Sequence, residues 1–332
     1  PQVRKTGLNQ GKNQVTLAEA TGLFPPAGAY IAFRDQVTGL NYLRPADEWL
    51  QRGIHFHLNG YEHHAFLDFR VVIPDQAHDY NRLYSFIGEQ GVPDLDQALN
   101  ELVLKPVLQP LQQFLNHGYL HYLVDKYAQS TQKMDELDKQ EVRAKAENFL
   151  KGMRATKPFE KDLKEVVELI CGQVQAVLEL PGFVDRLHLS DSRKMQSIEQ
   201  SLVVPLAGAE PYWFTLLAWA FLSPIGKLFS IHDNENIALS LLDELQLSKP
   251  FGDSLREYGC REDQVQQLLL LLRIGVLKQA WFEDMKKQPL AAILKDWFST
   301  PEIQYRLHVN RYQDILWYNR EAFEELAWWL WI

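Results

Sequence analysis

The hydrophobic pattern of this chain changes period near residue 75. Before it, apolar and polar positions alternate in short runs; after it, apolar residues recur every three to four positions, the spacing of a helix face. In the early part, AYIAFRD (29–35) and LNYLR (40–44) are β-prone and separated by Gln36-Val37-Thr38-Gly39, which predicts a hairpin. PADEWLQRG, from Pro45 to Gly53, predicts one or two helical turns. IHFHL (54–58) and YEHHAFLDFRVVI (61–73) flank Asn59-Gly60. That dipeptide suits a type I′ turn, whose two central residues both need positive φ. A second hairpin follows, with Leu58 facing Tyr61, His57 facing Glu62, Phe56 facing His63 and His55 facing His64. Its core face collects Phe56, Leu58, Tyr61, His63, Ala65, Leu67, Phe69 and Val71; the other collects His55, His57, Glu62 and His64. The four strands predict an antiparallel sheet with one covered face. Residues 1–28, with Gly, Asn and Pro at both ends, read as extended or loop.

Pro74-Asp75 stops the last strand, and the rest reads as helical. HDYNRLYSFIGEQG ends at Gly91, and Pro93-Asp94 opens LDQALNELVLK. Pro106 and Pro110 break up the path to LQQFLNHGYLHYLVDKYA. Residues 129–148 are polar and charged, and read as a solvated helix with pairs such as Glu136–Gln140 and Glu141–Lys145; a mobile linker is the alternative. Helices are expected over 160–180, 234–248 and 261–285, the last apolar around much of its circumference and so central. The tail NREAFEELAWWLWI is capped by Asn319 and carries a stripe of Phe323, Leu326, Ala327 and Leu330, widened by Trp328, Trp329 and Trp331. No repeat of solenoid period is found.

Totals narrow the function classes. The 332 residues are 46% apolar and carry a net charge of −9, unlike an electrostatic nucleic-acid binder. Two cysteines, Cys171 and Cys260, give no disulfide framework, and a reducing cytoplasm is the expected compartment. No leader is expected, and the longest apolar run, Trp213 to Phe229, is interrupted by Pro224 and Lys227; it reads as one or two buried helices rather than a membrane span.

Four of the ten histidines lie in 55–64. His55, His57 and His64, with Glu62 beside them, are plausible zinc ligands by type. The competing reading is a half-solvated sheet face, since strand residues two apart diverge and a zinc site needs supporting partners. His63 reads as a hydrogen-bonded core residue. Pairs such as Asp243-Glu244 carry little weight among 43 acids. P-loop, G-x-G-x-x-G, G-x-S-x-G and H-E-x-x-H motifs are absent. The tail tryptophans could stack on sugar rings, but their amphipathic pattern favours core or interface packing.

YIAFRD, TGLNYLR, the L-N-G-Y turn and FLDFR together resemble the region after the catalytic barrel in large α-amylase-family glycoside hydrolases. YNRLYSFIGEQGVPDLDQALNEL and HVNRYQDILWYNREAFEEL resemble later parts of the same region. The resemblance implies an antiparallel β domain followed by helices. It does not bring the family's chemistry with it. The nucleophile motif reads roughly G-F-R-x-D, whereas Gly182-Phe183-Val184-Asp185 lacks the arginine and places the aspartate one position early. Ile231-His232-Asp233 lacks the asparagine of the family's Asn-His-Asp. A (β/α)₈ barrel also needs ~250 residues of strand–helix units.

The expected protein is α+β and predominantly α: a β domain over 1–75 and a helical domain over 76–332, with a division into two sub-bundles near 129–158. No catalytic, cofactor-binding or metal residue is assigned, and no cofactor. The expected role is the non-catalytic C-terminal portion of an α-glucan-acting glycoside hydrolase. It would support, dimerise or assist substrate binding of a barrel in the same parent chain. Its expected partners are that barrel, an α-glucan and a second copy, not nucleic acid or membrane. The rival classes are a stand-alone helical interaction module, docking through the tail or the 129–148 helix, and a metalloenzyme on His55, His57 and His64.

Overall fold

The structure is a computed structural model that describes residues 2–5, 12–15, 21–52, 58–75, 78–128, 132–182, 210–230 and 233–331. It is an α+β fold, mainly α. Two compact units divide it at Lys105/Pro106. This lies thirty residues beyond the change of period at 75, because the two helical segments after that point pack onto the sheet.

In the first unit, β1 (Gln2–Lys5) and β2 (Lys12–Val15) form an antiparallel pair inside the stretch read as extended or loop. β3 (Tyr30–Asp35) pairs with β4 (Asn41–Pro45) as the pattern predicts. Their turn closes through the Gly39 N–H on the Asp35 carbonyl, 2.9 Å, and Gly39 has a φ of 74° that an L side chain rarely adopts. α1 (Ala46–Arg52) follows, then β5 (Phe66–Val72), α2 (Tyr80–Ile87) and α3 (Leu95–Leu115).

β5 is the second arm of the second predicted hairpin, and the turn before it differs from the one predicted. It lies antiparallel to β3, in the order β4-β3-β5. Residues 53–57, which include His55, Phe56 and His57, lie outside the described residues. The turn runs from Asn59 to Glu62, whose N–H donates to the Asn59 carbonyl at 3.1 Å, so its centre is Gly60-Tyr61 rather than Asn59-Gly60. Tyr61, not Asn59, takes the positive φ, 71°. The Glu62 carboxylate reaches back to accept the Asn59 N–H, 2.7 Å, which holds Asn59 at the first turn position.

The core face moves as well. Ala32 is opposite Arg70 and Arg34 opposite Leu67, so two steps on β3 match three on β5. That is a β-bulge, with Asp68 at φ 58°. The extra residue reverses the alternation. Phe66 therefore joins Phe69 and Val71 against Ile31, Phe33 and Trp49, while Leu67 is half exposed. Leu58, Tyr61, His63 and Ala65, all expected in the core, are exposed. The sheet is covered on both faces rather than one: its second side carries Tyr30, Ala32, Leu43 and Val72 beneath Leu83, Ile87, Leu95 and Leu99.

The second unit is helical. After α3 come α4 (His117–Leu123), a π-helical turn (Val124–Ala128), α5 (Glu136–Thr156) and α6 (Leu163–Leu178). α7 (Glu210–Leu222) runs into a 3₁₀ segment (Ser223–Leu228), followed by α8 (Asn234–Glu244), α9 (Ser248–Tyr258) and α10 (Glu262–Leu277). α11 (Trp281–Met285), α12 (Leu290–Ser299), α13 (Pro301–Arg306), the β6–β7 hairpin (Asn310–Tyr312, Ile315–Trp317) and α14 (Arg320–Trp331) complete it. α7 is apolar all round and almost wholly buried, packed by α6 and α10. No described helix is long and apolar enough to cross a membrane.

Pro106 and Pro110 do not interrupt the path as expected; both lie inside the continuous α3. Pro110 has no N–H for the Pro106 carbonyl, which is left open on the helix side. There α5 approaches through Gly152, where a Cβ would stand 1.9 Å from the Pro106 oxygen. Of the stretch over 129–148, residues 129–131 lie outside the described residues. Asp135 caps α5, whose pairs include Lys145 with Glu141 at 3.3 Å, so the helix reading holds from 136 onward. The tail forms as read: the Asn319 side chain accepts the Ala322 N–H, 3.0 Å.

Candidate functional site

Asp35 ends β3 and is completely buried. Its carboxylate accepts the Val37 N–H (3.0 Å), the Thr38 N–H (3.3 Å) and hydroxyl (2.6 Å), and the Ala65 N–H (3.3 Å). The His64 Nδ1–H donates to it at 2.6 Å. Burial works against the charge, but the bonds from Thr38, His64, Val37 and Ala65 outweigh it and hold the carboxyl well below its usual range. The His64 ring stacks on Phe66 with an interplanar angle of 9°. A carboxylate-held imidazole occurs in hydrolytic triads, where it serves a nucleophile. Here the Thr38 hydroxyl donates to the carboxylate itself. The group therefore clamps the β3–β4 turn to the entry of β5.

A second polar cluster surrounds the π-helical turn, a feature often found at functional positions. Asp138 of α5 is buried and accepts the Tyr127 hydroxyl (2.6 Å), the Tyr122 hydroxyl (3.1 Å) and the Lys126 ammonium (2.7 Å). Lys126 also donates to Asp135, 2.8 Å. Asp135, Asp138 and Tyr122 raise the Lys126 pKa, and Lys126 in turn draws Asp135 down to about 2. Burial, together with the Asp138 bond, pushes Tyr127 up to about 12. These shifts all favour the paired state, and they fix the ammonium as a cation rather than a proton donor or nucleophile. The cluster ties the π turn to the start of α5.

The candidate zinc face lies only partly within the described residues. His55 and His57 lie outside them, His64 is held by Asp35, and Glu62 is held by Asn59. No described group of three or more His, Cys, Asp or Glu residues has metal-binding geometry. Phe183, Val184, Asp185, Ile231 and His232 also lie outside. Asp233 accepts the Asn236 side-chain N–H at 2.7 Å. Asp243 pairs with Arg273 and Glu244 with Lys157, so these neighbouring acids point to different partners. Burial lifts the Cys171 thiol to about 11 and raises Cys260, which makes both weak nucleophiles near neutrality. Trp329 is buried against Tyr212, while Trp331 is partly exposed.

Asp35 and Asp138 are the polar residues that sequence reasoning missed. Asp35 had a signal, since D-x-x-T-G is a turn in which an aspartate bonds backbone N–H groups ahead of it. Asp138 had none: it sits in a charged run whose other acids are solvated. Comparison of the chain with family models, with curated proteins and with solved structures returned no match.

Proposed function

We propose that this chain is the non-catalytic C-terminal portion of an α-glucan-acting glycoside hydrolase, with the first unit serving as a support for a catalytic barrel in the same parent chain. One observation carries the reading. The three segments whose wording resembles the post-barrel region, YIAFRD, NYLR and FLDFR, are the three strands of a single antiparallel sheet. The stretch leading into and out of β5 also leaves Leu58, Tyr61, Leu67 and Ile73 exposed, apolar surface of the kind a neighbouring domain covers. The test is a reducing-sugar assay on soluble starch. The isolated chain should release none, and the parent protein should; hydrolysis by the isolated chain would overturn the reading.

A second reading, an interaction module in the helical unit, has its own support. The β6–β7 hairpin exposes Tyr312, Ile315, Leu316 and Trp317. Docking there would use the hairpin rather than the tryptophan tail, whose Trp329 is already covered.

A further inference from the structure

Helices α8, α9, α10 and α13 of the second unit border a groove of about 640 Å³, within the range of small-ligand sites. We propose that this groove binds a neutral oligosaccharide, with Tyr305 stacked beneath a pyranose ring and Gln246, Gln266 and Gln267 bonding its hydroxyls.

The chemistry of the lining supports this. Four uncharged polar side chains, Gln246, Ser248, Gln266 and Gln267, share the groove. Amides and hydroxyls both donate and accept, as sugar hydroxyls do. Two of the amides are oriented by bonds at one end only. The Gln266 side-chain N–H donates to Glu262 at 2.7 Å, and the Gln267 oxygen accepts from Arg306. Among the described residues, no bond is made by the Gln266 side-chain oxygen or the Gln267 side-chain NH₂, which are left to meet a ligand. Tyr305 is 70% exposed, so its ring offers an uncovered apolar face to the C–H side of a sugar. Gln246 is held in the left-handed region, φ 51°, at the turn between α8 and α9, a conformation that costs energy for a residue with a side chain.

The groove's charged side chains are Asp243, Lys249 and Arg273, and Lys249 is already engaged, so charge does not favour an anionic ligand. The groove's Arg273 gives both terminal nitrogens to Asp243 and lies 3.6 Å from Glu302, so a phosphate would have to displace existing carboxylates. The choice of α-linked glucose as the sugar rests on the function proposed above; the groove's preference for neutral polyols does not.

Calorimetric titration of the full chain with maltoheptaose, and with cellohexaose in parallel, tests the site. Saturable maltoheptaose binding is expected, weakened about tenfold or more by Tyr305→Ala, as loss of one aromatic stack implies. Gln267→Ala should weaken it further, and Leu137→Ala, at an exposed position of α5, should leave it unchanged. The unfolding midpoint of the Tyr305→Ala variant should match the parent because the ring is largely exposed. No binding of either sugar at millimolar concentration, or binding that survives both Tyr305→Ala and Gln267→Ala, would overturn the site. Equal binding of cellohexaose, lost in the same variants, would uphold the groove and contradict the α-glucan assignment.

Discussion

The His64 Nδ1 lies 2.6 Å from the Asp35 Oδ2, across twenty-nine positions of sequence, and Asp35 is fully buried. This contact joins the first hairpin to the strand that pairs on its other side. It converts two short-range turn motifs into one sheet.

Replacing Asp35 with Asn should therefore loosen the sheet. Three backbone N–H groups, a hydroxyl and an imidazole would lose a charged acceptor, at a cost of about 2 kcal/mol or more. The pH dependence follows from the direction of the shift. The folded carboxyl lies below its unfolded value, so its contribution is complete above that value. It declines as pH falls below about 4, the ordinary aspartate range, toward the depressed folded pKa. Urea unfolding between pH 7 and pH 3 should show a steeper loss of stability in the parent than in Asp35→Asn. Identical slopes would contradict the clamp.

The bulge at Asp68 makes a prediction of opposite sign. Its φ of 58° suits glycine, so Asp68→Gly should be neutral or stabilising by up to about 1 kcal/mol. Asp68→Val should destabilise by about 1–3 kcal/mol, because a β-branched residue is strained there. Thermal melts of the two variants measure the difference; equal midpoints would argue for a regular strand.

Asp138 holds three donors around the π turn. Asp138→Ala leaves the buried Tyr127 hydroxyl without its acceptor, and should cost about 3 kcal/mol. Asp138→Asn should cost less, since the amide oxygen still accepts. Denaturant titration followed by helix signal would rank the two, and the reverse order would count against the network.

Gly152→Ala should destabilise the second unit by about 2 kcal/mol or more, although alanine is the better helix former. The added methyl has no room against the Pro106 carbonyl. Differential scanning calorimetry would show a lowered midpoint; a raised one would mean that α5 does not approach α3 there.

The hairpin reading predicts that Trp317→Ser abolishes any self-association of the chain and leaves the helical content intact. Light scattering coupled to gel filtration measures both states. Association that persists in this variant would place the contact elsewhere.

Much of the fold is written in local pattern. The β3–β4 hairpin follows from alternation and Gly39, the cap of α14 from Asn319, and the buried α7 from its unbroken apolar run. What failed depended on register. A single left-handed residue, Asp68, shifted the inward set from Leu67 to Phe66, and alternation cannot show where a strand bulges. The Asn59-Gly60 pair suggested one turn, but the Glu62 carboxylate stabilises another that begins one residue later. Pro106 and Pro110 read as breaks because a helix interior normally needs their missing N–H groups; the contact with Gly152 is not visible from that segment alone. The groove beside Tyr305 draws on four helices, and no short motif announces it.

The central claim, that this chain completes a larger α-glucan-acting enzyme, is tested most directly by the mass of the native protein in its source, detected with an antibody against this chain. The account predicts a band far above 38.6 kDa, with room for a barrel of ~250 residues. A native band at 38.6 kDa would contradict it and leave the interaction module as the reading to pursue.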